Sequence, residues 1–268
     1  MNKEREVIKN LVSVVIPCYN SEATIIACLE SVIGQQYPHI EVIVVDDGST
    51  DRTVKVVETF IDRSTSGIKT MLYRSANFGP STARNIAISK TSGEFISFLD
   101  SDDVWQPHKL KTQISLFESH PHLVLVGCSH PFVPQKAGAP AWRNISLQQL
   151  LYKNYFQTSS VVLRATSLGD DLFRIQQKYS EDYDLWLRIA TKGDLALLSE
   201  PLTIAEVSPY LGKGLSSRLW QMEKGELGNY QRLYHRNNIS SKDFIFASAF
   251  SLGKFFYRIF KTISPNNN

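Results

Sequence analysis

Four short segments carry acidic or basic side chains at spacings that suit chemistry on an anionic ligand. Asp100-Ser101-Asp102-Asp103 puts three carboxylates within four residues, directly after the apolar run EFISFL. Like charges that close repel unless a cation or hydrogen-bond donors offset them. Mg²⁺ typically binds one or two carboxylates together with substrate phosphates, which an aspartate-x-aspartate pair suits. The same residues also fit a solvated turn in which Asp103 caps the following helix. Asp46-Asp47-Gly48-Ser49-Thr50-Asp51 follows a second apolar run. Gly48 allows a sharp turn, Thr50 or Asp51 suits a helix cap, and an adjacent carboxylate is free to accept from a base N–H or a ribose hydroxyl. Asn77 to Asn85 places Pro80 in a first helical turn and Arg84 one turn inside, where it adds to anion binding or is an ordinary surface arginine. Glu181-Asp182-Tyr183-Asp184 gathers acids at a helix start, complementing the macrodipole. It is also the best candidate in the second half of the chain for a general base, which must be a carboxylate or histidine within hydrogen-bond reach of its proton.

These residues must be positioned by the elements around them. Leu11 to Ile16, Glu41 to Val45 and Glu94 to Leu99 are β-branched or apolar runs of strand length, each followed by polar residues. Lys69 to Tyr73 reads as a shorter strand. Between them, Ile25, Ile26, Leu29, Val32 and Ile33 recur at helical spacing behind Ser21 as an N-cap, and Thr53 to Ile61 and Pro80 to Ser89 also read as helices. The alternation predicts an α/β fold with a Rossmann-like, mostly parallel sheet flanked by helices, its ligand crevice beyond the carboxyl ends of the strands. Further on, Pro107 to Ser119 and Asp182 to Thr191 read as helices, and Leu123 to Cys128, Val161 to Leu163 and Leu195 to Leu198 as strands. From Lys213 the chain reads as helical to its end.

Composition sets the outer bounds. With 268 residues and 43% hydrophobic content the chain can bury a substantial core. A formal net charge of +3 gives no support to a nucleic-acid-binding role. Cys18, Cys28 and Cys128 lack paired spacing, which argues against a disulfide framework or a zinc site and for a reducing compartment. The charged start MNKEREVIKN has no apolar core of a signal peptide, and no apolar run approaches the roughly 20 residues of a spanning helix. The expectation is a cytoplasmic protein, or one on the cytosolic face of the inner membrane.

Together, VSVVIPCYN, VVDDGSTD, NFGPSTARN, FLDSDD followed by Pro107, and SEDYDLWLR resemble the blocks of family 2 glycosyltransferases of the GT-A fold, in order from Val12 to Arg188. The resemblance implies an inverting transfer from a nucleoside diphosphate sugar, a UDP-sugar by preference, to a glycan or lipid-linked hydroxyl in bacterial surface-polysaccharide synthesis, with Mn²⁺ or Mg²⁺. It implies that Pro17 and Tyr19 contact the base and ribose, that Asp47 accepts from the base, and that Arg84 lies near base or diphosphate. Asp100 and Asp102 become the aspartate pair, Asp102 the direct metal ligand and Asp100 also beside the nucleotide, with Asp103 serving the next helix. Asp182 becomes the catalytic base, with Glu181 beside it. The catalytic domain would span residues 1–212, with a nucleotide half at 11–106 and an acceptor half at 107–212, and a helical extension at 213–268. A catalytically inactive nucleotide-sugar-binding module of the same fold is the competing reading. A nicotinamide-dependent oxidoreductase is excluded by Pro-Cys-Tyr-Asn, where the first strand should lead into Gly-x-Gly-x-x-Gly.

The chain departs from the family in lacking a histidine after the base helix. Glu206 to Ser217 offers Tyr210 and Lys213 instead. Lys213 could neutralise the diphosphate as a point charge or be a solvated loop residue. Near the end, Phe244 to Ile263 sets Lys254, Arg258 and Lys261 on one helical face with Ala247 and Ser251. A basic stripe opposite Phe and Ile predicts a peripheral helix drawn to anionic lipid, against the alternatives of packing on the catalytic domain or a dimer contact.

Overall fold

A computed structural model describes residues 7–130, 138–205 and 218–263. The chain runs β1 (Ile8–Cys18), α1 (Ile25–Ile33), β2 (Ile40–Asp46), α2 (Thr53–Arg63), β3 (Lys69–Arg74), α3 (Pro80–Ile88) and β4 (Gly93–Phe98). It continues through β5 (Asp103–Trp105), α4 (Lys109–Ser119), β6 (Leu123–Cys128), β7 (Trp142–Ile145), α5 (Leu147–Tyr152), β8 (Val162–Arg164) and α6 (Ala165–Leu168). The last elements are α7 (Glu181–Ile189), β9 (Asp194–Leu198), β10 (Thr203–Ala205), α8 (Leu219–His235) and α9 (Ser241–Ile263).

Eight strands form one sheet in the order β3-β2-β1-β4-β8-β6-β9-β7. The first four are mutually parallel, and β8 and β7 run antiparallel to their neighbours. All seven residues of β2 are buried, as expected for a strand covered on both faces. The period of two divides β1 between two cores: Val14 and Ile16 face α1, α2 and α4, while Val15 faces the side of α3, α7 and α8. β1 runs on through Pro17 to Cys18, past the Leu11 to Ile16 run read from the sequence. The carbonyl of Val15 accepts from Leu99 on the β4 side, and Pro17, two residues on, faces the same way beyond the last β1–β4 pair, Val15↔Phe98. Its missing N–H therefore breaks no ladder bond.

Three local expectations are corrected. Ser21 does not cap α1 through its side chain: Thr24 is the N-cap, and Ser21 Oγ bonds Ser101 Oγ at 2.8 Å. Asp103 does not serve α4. It lies buried in β5, which pairs antiparallel with β10, and its carboxylate accepts from Ser159 Oγ. The basic stripe of α9 turns Lys254 and Arg258 inward, while the side chain of Lys261 lies outside what the structure describes. Lys254 Nζ donates to Glu226 Oε1 at 3.1 Å and to the Tyr152 carbonyl at 3.0 Å, and Arg258 reaches Glu223 Oε2 at 3.4 Å. Ala247 and Ser251 are buried beside them, and Ala247 shares a core with Tyr230 and Leu233 of α8. The polar face turns in because α8 supplies partly or fully buried acids that need counter-ions.

Candidate functional site

The carboxyl ends of β1, β2 and β4 and the start of α7 open on one crevice of about 810 Å³. Pro17, Tyr19, Asp47, Arg84, Asp100, Asp102, Glu181 and Asp182 all line it. The ninth sequence candidate, Lys213, lies outside the described residues, as does Tyr210. A second hollow of about 840 Å³ between α1 and α2 brings none of the nine together.

At the end of β2, Asp47 is buried and held by the loop after β3. It accepts from Ser75 Oγ, from the Phe78 N–H at 2.9 Å and from the Gly79 N–H at 2.7 Å. One lone pair of Oδ2 is left for a ligand donor. Gly48 permits this closeness: its φ is 78°, and a Cβ there would sit 3.0 Å from the Asn77 nitrogen. Asn20 and Asn77 are themselves left-handed, at φ 50° and 55°, a conformation that concentrates at ligand sites. Tyr19 is half exposed above this floor.

Arg84 joins the two halves of the site. Its Nη2 donates to Asp100 Oδ1 at 2.7 Å and its Nη1 to Glu181 Oε1 at 3.2 Å. Its side chain is only 6% exposed and lies 5.2 Å from the Phe173 ring centre. Thus Arg84 is no solvated surface residue; it neutralises acids that are 81 residues apart in sequence, from Asp100 to Glu181. The remaining nitrogen, Nε, is buried with no hydrogen-bond partner among the described residues.

Asp100 and Asp102 differ in setting. Asp100 is partly buried and bonded to Arg84, and its own N–H donates to Ser159 Oγ at 3.1 Å. Asp102 is exposed on the crevice wall. Among the described residues no group of three His, Cys, Asp or Glu side chains converges as a ready-made metal cage. The donor set nevertheless fits a hard cation that takes one or two carboxylates and completes its shell with phosphate oxygens and water. Asp102 would hold it, with Asp100 in support.

At the other wall, Ser180 adopts a left-handed conformation, φ 59°, and turns the chain into α7 so that Glu181 and Asp182 start the helix facing the crevice. Burial, reinforced by the charge of Asp182 and opposed by Arg84, pushes the Glu181 carboxyl up to about 7. Burial also raises Asp182, against the Tyr183 N–H, which donates to Oδ1 at 2.7 Å. A carboxylate raised in this way is a better proton acceptor than one in water. Below it, Asp184 is buried among Arg174, Arg188 and Arg232, at 3.0, 2.8 and 3.1 Å, which anchors the helix.

Sequence reasoning missed Ser159, which accepts from the Asp100 N–H and donates to Asp103. It also missed Thr158, Lys178, Tyr179 and Met222 on the crevice wall. A serine in an irregular stretch gives no local signal; only the pairing of β8 with β4 brings it beneath the aspartates.

The sequence model described as "Glycosyl transferase family 2" matches residues 13–170. An uncharacterized glycosyltransferase of Haemophilus influenzae is 32% identical over 238 residues, covering 84% of this chain and 93% of that protein. The Escherichia coli protein WfgD, named as a UDP-Glc:alpha-D-GlcNAc-diphosphoundecaprenol beta-1,3-glucosyltransferase, is 36% identical over 193 residues, covering 70% of this chain and 73% of its own. Among solved structures, S. aureus TarS residues 1–349 with UDP-GlcNAc superposes with TM-score 0.74 at 23% identity, covering 92% of this chain and 73% of that one. The mannosyltransferase PcManGT of Pyrobaculum calidifontis, with GDP-Man and Mn²⁺, superposes with TM-score 0.68 at 17% identity, covering 99% and 80%. At those identities the structures speak for the fold, which is GT-A.

Proposed function

Since the chain belongs to glycosyl transferase family 2, we propose that it is an inverting glycosyltransferase that moves a hexosyl or N-acetylhexosaminyl group from a UDP-sugar to a hydroxyl of a glycan or lipid-linked acceptor. The observation that carries this reading is the single crevice in which Asp100 and Asp102 face Glu181 and Asp182 across Arg84. Pro17 and Tyr19 flank the base and ribose, and Asp47 offers its remaining lone pair to a base N–H. Arg84 supplies positive charge beneath the diphosphate, and Lys213 adds a second point charge. Asp182 takes the proton of the acceptor hydroxyl as that oxygen bonds to the anomeric carbon. The bond from the anomeric carbon to the diphosphate oxygen breaks in the same displacement, and its electron pair leaves with the nucleotide. Mn²⁺ or Mg²⁺, held by Asp102 with Asp100, would neutralise charge on the departing diphosphate when bound.

WfgD acts on a diphosphoundecaprenol-linked sugar, which supports a lipid-linked acceptor here and a place in bacterial surface-polysaccharide assembly. On that reading the 1–212 portion carries catalysis and the 213–268 extension works at the cytosolic face of the inner membrane, its bilayer contact in residues 244–263. Among the described residues no helix is long and apolar enough to cross a membrane, so this contact would be peripheral.

The test is release of free nucleoside diphosphate from a panel of nucleotide sugars, with and without acceptors, in Mn²⁺ or Mg²⁺ and again with a chelator. Release that needs the cation and rises with acceptor is expected. Silence across both panels would leave a nucleotide-sugar-binding module.

A further inference from the structure

α9 has two unlike faces. The inner one, with Ala247, Ser251, Lys254, Phe255 and Arg258, is packed or ion-paired against the rest of the chain. The outer one carries Phe246, Phe250, Phe256, Tyr257 and Phe260, each between 50% and 70% exposed. Exposed Ala249 and Gly253 fill the same stripe, so positions 246, 249, 250, 253, 256, 257 and 260 recur every three or four residues along one side. Lys242, also exposed, continues the stripe at its N-terminal end. Five large aromatic side chains in one contiguous row are not left in water by an ordinary surface helix.

We propose that this outer aromatic face lies in the interfacial layer of a bilayer, and that apolar insertion rather than the basic residues holds the protein there. The inference rests on the lipid-linked acceptor proposed above and names the surface that meets its membrane. Lys254 and Arg258 are ion-paired with Glu226 and Glu223, and the Lys254 ammonium also lies 5.3 Å from the Phe250 ring centre, so their charge is engaged within the chain before any headgroup is met. Phenylalanine and tyrosine are suited to the interface, where an apolar ring body meets the acyl boundary. Lys242 is placed to reach headgroups from the end of the stripe. A second copy of the chain is the weaker occupant. The five rings of the stripe, each 50% to 70% exposed, offer roughly 600 Å² of accessible surface, less than the roughly 800 Å² that each partner gives to a stable dimer. A bilayer demands no such matched surface.

The experiment is flotation of the full chain with uncharged phosphatidylcholine vesicles at about 0.1 M and about 0.5 M salt, beside the double variant Phe246→Glu, Phe256→Glu. Both positions are exposed, so the variant should keep its far-ultraviolet circular dichroism and its nucleotide release with a water-soluble acceptor. The wild type should float at both salt concentrations with less than about a twofold difference, and the variant should lose about tenfold in vesicle partition. Wild-type binding only to anionic vesicles at low salt, or a variant that floats like the wild type, would overturn the proposal. So would a dimer in sedimentation that the variant splits while neither protein floats. A chain that floats but releases no nucleotide fails the proposed function and leaves this surface standing; one that transfers sugar but never floats does the reverse.

Discussion

Replacing Arg84 with methionine keeps much of the side-chain volume over Phe173 and removes the charge between Asp100 and Glu181. Glu181, whose side chain is 12% exposed, then has to remain neutral in the fold. Burial already holds its pKa at about 7 with Arg84 acting to lower it; without the arginine it rises further. A carboxyl raised on folding favours the folded state least at high pH, because holding its proton costs about 1.4 kcal/mol for each unit of pH above its unfolded value near 4.5. Near pH 6, Glu181 is mostly protonated in wild type and variant alike, so its own titration adds little to the difference. The loss there, about 2 kcal/mol, comes from the broken pair with Asp100 and the stranded polar contacts. By pH 8, one unit above the wild-type value, the wild type has regained ionisation that the variant cannot, which adds about 1 kcal/mol. Urea denaturation at pH 6 and pH 8 reads the difference directly. An Arg84→Met penalty that is the same at both pH values, or below about 1 kcal/mol at both, would show that the arginine is not the counter-ion of Glu181.

Asp182→Asn should retain donor affinity, measured by calorimetry, and lose about 10²- to 10⁴-fold in transfer; near-normal turnover would remove Asp182 as the base. Because burial raises both carboxyls, helped by the charge of Asp182 at Glu181 and by that of Asp100 at Asp182, with Glu181 at about 7, wild-type kcat/KM should climb with pH and level off above about 7, where the pair is ionised. Glu181→Gln should move that rise to lower pH, and an unmoved profile would separate Glu181 from the titration. Gly93→Ala should lower the melting temperature by about 5 °C or more, since its Cβ would meet the Leu11 carbonyl and come within 2.8 Å of Ser13 Oγ between adjoining strands.

The parts of the fold visible in the chain are those whose pattern is local. β1, β2 and β4 appear as apolar runs because they are buried on both faces, and α7 shows its acidic start whatever it packs against. β7 was missed because it is an edge strand with Arg143 and Asn144 outward and no alternation long enough to count. β5 and β10 are three residues each and are defined by partners about a hundred positions apart, such as Trp105 and Thr203. Asp103 shows the same limit: its neighbours suggested a helix cap, but a serine 56 residues on settles it into β5 and burial pushes its pKa up to about 7. For α9, helical periodicity separates two faces correctly and is silent on which one turns inward. That choice belongs to Glu223 and Glu226 on another helix.

Arg84 stands on α3, yet half of its pairing is with Glu181 at the start of α7, on the other wall of the crevice. One guanidinium is therefore shared, and what it lends to a new anion beside Asp100 it withdraws from Glu181. A donor diphosphate arriving without its cation would leave the Glu181–Asp182 pair drawing a proton from solvent, which spoils the base. Arriving with its cation, it would bring its own compensation and keep the base ionised. The cation would then govern proton uptake at a carboxyl it does not touch, and the heat of donor binding should change with the ionisation enthalpy of the buffer only when the metal is withheld.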